Sequence, residues 1–133
     1  MNYQEKVEYL RGYKIAKENA ETYIRQIEDL RETVYPSGYH LSDMPKHPNY
    51  DDKMADYAGE FWDIQKRLER AQSKQLHIVA TINQLAEIDP LGHRILTEKY
   101  INGNKRSYIC RVLYISRDTE WRHRRKAIER LKI

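Results

Sequence analysis

The chain has 133 residues, 33% of them charged and 40% hydrophobic, with five Gly and four Pro, a balance that suits long helices and excludes a turn-rich β fold. Its formal net charge of +4 hides a division: residues 91–133 hold 12 Lys and Arg against 4 Asp and Glu, a surplus of +8, whereas residues 1–90 stand at −4. No apolar run nears the ~20 residues that span a bilayer, which excludes a membrane partner and leaves a cytoplasmic chain as the expectation.

Apolar residues recur at helical spacing from Tyr3 to Tyr35, through Val7, Leu10, Ala16, Ala20, Ile24, Ile27, Leu30 and Val34. This predicts one long amphipathic helix. Pro36, Gly38, Pro45 and Pro48 then fall close together and end it, so a proline-rich loop is expected over 35–50. Beyond Asn49 the pattern resumes through Met54, Ala58, Phe61 with Trp62, Gln65, Leu68, Gln72, Leu76, Val79, Ile82 and Leu85, predicting a second long helix that ends near Asp89-Pro90. Two such helices suggest an antiparallel, coiled-coil-like hairpin over residues 1–90, with Gln65 and Gln72 setting register in its seam. Neither stripe can be buried alone, so each helix is expected to pack on the other, on a second copy of the chain or on both, and a homo-oligomer, with a dimer favoured, is the expected assembly.

After Pro90 the character changes. Ile95, Leu96 and Tyr100 predict a short helix, and Asn102-Gly103-Asn104 a turn. A next helix carries Tyr108, Ile109, Val112 and Leu113, with Asn104 or Ser107 as its cap, and Ser116 caps a last helix over Arg117 to Lys132. Residues 91–133 therefore read as a helix-turn-helix, whose second helix enters the major groove of duplex DNA while the first supports it. On the last helix Trp121, Ala127, Ile128 and Leu131 are expected to form the buried seam. Arg117, Asp118, Thr119, Arg122 and Arg125 are left to face bases. Lys105, Arg106, Arg111, Arg124 and Lys126 would meet phosphates, and Ser107 and Ser116 complete the candidate DNA-binding set.

Chemistry of other kinds is missing. There is no Gly-rich phosphate loop, no His-Glu-x-x-His and no recognisable Ser/His/Asp set, so neither an enzyme nor a cofactor is predicted. A zinc site through His40, Asp43, His47 and Asp51 lacks the fixed geometry such a site needs. Cys110, the lone cysteine, has no disulfide partner and reads as core.

The stretch Ile95-Leu96-Thr97-Glu98-Lys99-Tyr100 through Ser116-Arg117-Asp118-Thr119, closing on Lys126-Ala127-Ile128-Glu129-Arg130-Leu131, resembles the promoter-reading region four of sigma factors. With the long helices and the Asp43-Met44-Pro45 loop, the chain is similar to small sigma-like regulators of phages and prophages of Gram-positive bacteria, of the RinA and ArpU types. The resemblance implies control of late phage genes in a bacterial host, and contact with host RNA polymerase as a further partner. Where such modules place an aliphatic residue in the last helix this chain has Glu120, which predicts a helix rotated to bury Trp121 instead. A phage DNA-packaging component, a small-terminase-like oligomer, is the rival function; a helical adaptor with a basic end is a third.

Overall fold

A computed structural model of the chain describes residues 1–34 and 50–133. The expected proline-rich loop, with His40, Asp43 and His47, lies outside the described residues. Every element among the described residues is helical: α1 Tyr3–Val34, α2 Tyr50–Asn83, α3 Pro90–Leu96 running into a π-helical turn Thr97–Ile101, α4 Arg106–Leu113 and α5 Arg117–Arg130. The all-α fold class is therefore as the sequence predicts. The described residues form two compact units, Glu18–Gln72 and a second made of Met1–Lys17 with Ser73–Ile133.

In the first unit Ala20 and Ile27 of α1 are buried in one cluster with Ile64, Leu68 and Ala71 of α2, and Tyr23, Leu30 and Phe61 pack against them. This corrects the expected seam by one step around the helix. Gln72 is exposed, Gln65 only half-buried, and Trp62 stands 59% exposed. The seam keeps the expected Phe61 and Leu68 and takes Ile64 and Ala71 in place of Gln65 and Gln72, aliphatic side chains with no polar group to desolvate.

The second unit is built on Val7, Leu10, Ile78, Ile82, Leu85, Leu96, Ala127, Ile128 and Leu131. Leu10, Ile78, Ile82 and Ile128 are wholly buried, and each such side chain contributes about 1.5–3 kcal/mol. The second helix, expected to end near Asp89-Pro90, in fact stops at Asn83. Three short-range bonds, Gln84 N–H to Thr81, Leu85 to Ile82 and Ala86 to Asn83, tighten the chain there and still turn Leu85 into the core. Asp89 and Pro90 are the start of α3, not the end of α2. The Asp89 carboxylate accepts from the Gly92 N–H at 3.0 Å, and Pro90 occupies the first turn, where no N–H is needed.

Two backbone positions decide how α3, α4 and α5 close together. At Gly92 an added Cβ would stand 2.8 Å from the Ala127 Cβ and 2.4 Å from the Asp89 carboxylate. Gly92→Ala is expected to lower stability by about 1–2 kcal/mol through overpacking, read as a fall in the thermal midpoint by circular dichroism. At the other, Tyr114 ends α4 in the left-handed region (φ 55°, ψ 44°) and is 94% exposed. A side chain is strained there and this one gains no packing in return, so Tyr114→Gly is expected to stabilise the fold by about 1 kcal/mol in the same measurement.

Candidate nucleic-acid interface

The turn between α4 and α5 is fixed at both ends. Ser116 is the N-cap of α5: its Oγ accepts from the Thr119 N–H at 3.1 Å and donates to Thr119 Oγ1 at 2.8 Å. On the other side Arg106, the first residue of α4, donates to the backbone carbonyl of Arg117. The cap expected at Asn104 or Ser107 is absent. Lys105 takes the N-cap position of α4 with no side-chain bond, because Asn104 is drawn back to Glu98, whose carboxylate accepts from its amide. Ser107 is exposed in the first turn.

The expectation that α5 rotates to bury Trp121 is overturned. Glu120 is 0% exposed and Trp121 42% exposed, so the acid occupies the inward position itself. Burying a carboxylate is costly unless cations accompany it. Two do: Arg106 Nε lies 3.0 Å from Glu120 Oε2, and Arg124 Nε lies 3.2 Å from Oε1. The atoms of both contacts are enclosed and none is aligned for a hydrogen bond, so these are charge pairs. Arg124 is only 16% exposed. Arg106 and Arg124, expected at phosphates, are thus occupied at the α4–α5 junction. Burial first, and then the charge of Arg124, hold Lys99 below the ordinary lysine range, against the pull of Glu120. Burial likewise pushes the Tyr100 hydroxyl up.

What remains outward on α5, apart from Arg130 at its end, which pairs with Asp89 at 3.4 Å, covers one half of the helix. Arg117, Asp118, Trp121, Arg122, Arg125, Lys126 and Glu129 are exposed, related by steps of three and four. Asp118 pairs with Arg122 at 3.3 Å and Glu129 with Arg125 at 3.3 Å, both at the surface and worth little to stability. Thr119 is half-buried with its hydroxyl turned into the cap. On α4, Arg111 is exposed and lies over the Tyr108 ring at 5.7 Å. Trp121, Arg122, His123, Arg125, Lys126 and Glu129 line a groove of about 300 Å³.

The structure thus brings Arg117, Asp118, Arg122, Arg125 and Lys126 onto one surface and leaves Arg106 and Arg124 behind it. Sequence reasoning missed Trp121 on that surface, and also Tyr3, whose ring lies 5.1 Å from the Arg125 guanidinium, with Trp121 at 5.5 Å. The spacing of Glu120 and Arg124, four apart on one helix, was no sufficient signal, since Asp118 with Arg122 and Arg125 with Glu129 share it at the surface.

A model of the family described as "Protein of unknown function (DUF1492)" matches residues 47–132. No curated protein and no solved structure matches the chain.

Proposed function

We propose that this chain, which belongs to the DUF1492 family, is a sequence-specific double-stranded DNA-binding protein that regulates transcription. In this reading α4 and α5 are a helix-turn-helix, α4 supporting from the DNA backbone and α5 lying in the major groove. The observation that carries it is the outward face of α5, where Arg117, Arg122, Arg125 and Lys126 stand together on a helix whose first turn is pinned by Ser116 and by Arg106. A surface helix with only a solvated role has no need of such a rigid junction; a helix that must present side chains to base edges does.

Arg122, exposed one turn into α5, is placed in this reading to bond guanine, while Lys105, Arg111 and Lys126 hold phosphates. The long helices α1 and α2, read as an antiparallel hairpin, serve to pair two copies or to engage RNA polymerase. The likeness to sigma-like phage regulators extends the reading to late phage genes.

The test is to select duplexes from a random pool with the full-length protein at near-physiological salt and to sequence what is retained. A defined motif, present as repeated or inverted half-sites if the protein dimerises, is expected. Retention without sequence preference would point to packaging or architectural binding, and no retention would sink the reading.

A further inference from the structure

Trp121 is a large aromatic ring left 42% exposed on a face that is otherwise charged. It is not a loose surface residue. The Arg125 guanidinium lies 5.5 Å from its ring centre and 5.1 Å from that of Tyr3, and Arg125 Nε bonds the Glu129 carboxylate at 3.3 Å. Lys6, one turn beyond Tyr3 on α1, donates to the Glu129 carbonyl at 2.9 Å. Tyr3, Arg125 and Trp121 thus form a row tied to α1, with one side of the indole backed by a cation and its remaining surface opening on the groove that Arg122 and Lys126 also line.

The surroundings restrict what can reach that ring. Arg117, Arg122 and Lys126 repel cationic partners and favour a polyanion, while the indole offers its contact to an apolar group. A polyanion that carries apolar groups at its readable edge is duplex DNA, and on the major-groove edges of base pairs the apolar group is the thymine methyl. Resting on the DNA-binding reading above, we infer that Trp121 is a specificity-determining residue that selects thymine at one or two positions of the operator through its methyl group. Tyr3 and Arg125 act as positioning residues that keep the ring in place.

The experiment uses the selected operator with each thymine replaced in turn by deoxyuridine, which removes the methyl and leaves every hydrogen-bonding group. Wild-type protein is expected to lose about fourfold in affinity per methyl at one or two positions, the burial of roughly one methyl group. Trp121→Ala should lose a similar factor on the unmodified operator and be indifferent to deoxyuridine there, whereas Trp121→Phe should keep part of the sensitivity. Because Trp121 is exposed, both variants should melt as the wild type does. If Trp121→Ala binds all sequences more weakly by one factor and keeps the wild-type deoxyuridine profile, or if no thymine responds, the inference is overturned while the regulator reading stands. A wild-type protein that selects no sequence would overturn both.

Discussion

Replacing Arg124 by Ala is expected to destabilise the protein by about 3–5 kcal/mol, the range seen when one member of a buried ion pair is removed. The reason lies in Glu120, which is 0% exposed and is left with Arg106 alone once Arg124 is gone. Arg106 is partly exposed and its charge is better screened, so it cannot compensate for both oxygens. Glu120→Leu alone should also destabilise, since it leaves the mostly buried Arg124 without its counter-charge; only removing acid and cation together clears the site of unpaired charge. The decisive measurement is the double variant Glu120→Leu/Arg124→Ala in urea unfolding: recovery of most of the lost stability is expected. If the two substitutions simply add, the destabilisation does not come from the buried acid. DNA affinity of the Glu120→Leu variant should stay near wild type, because Arg106 and Arg124 act at the junction and not at phosphates.

The second large effect concerns the exposed cations. Replacing Lys105, Arg111 and Lys126 together by Gln is expected to leave the fold intact, since none of them has a buried partner among the described residues, and to reduce duplex binding at least a hundredfold at physiological salt. The slope of log affinity against log salt should fall by about 0.9 for each phosphate no longer neutralised, or between roughly two and three in all. An unchanged slope would mean that these three residues do not meet the backbone and that the interface lies elsewhere. Arg122→Ala alone should act differently, costing about 1–3 kcal/mol at one base position and little on other sequences.

Much of this architecture was legible from periodicity and punctuation. The start and length of α1, the resumption of helix after Asn49 and the Ser116 cap follow from local rules, in which one residue type has one strong preference. The failures share a physical cause, namely that burial is decided by partners distant in sequence. Glu120 looks outward-facing by its own polarity, and only Arg106, on a different helix, together with Arg124 makes its burial tolerable. Once Glu120 turns in, Trp121 must turn out, and the candidate base-reading face changes with it. The same holds for α2, where Trp62 and Leu76 have the hydrophobicity of seam residues but Ile64, Ala71 and Ile78, beside the expected Leu68, are the ones that share clusters with α1. Leu85 continued the apolar period past Asn83 and so concealed the turn that precedes Asp89.

The core that supports α5 has a consequence for how the chain reaches its native state. Val7 and Leu10 share a cluster with Ala127, Ile128 and Leu131, Lys6 reaches the Glu129 carbonyl, and Gln84 straps Lys132 through two bonds of 3.0 and 3.1 Å. Contacts spanning almost the whole chain form late, because the loop they close is long. During synthesis the stripe of the first helix meets its α2 partners first, and the part of the core that supports α5 closes only once the last helix has emerged. A fragment beginning at residue 91 would accordingly carry the basic residues without the scaffold that orders them.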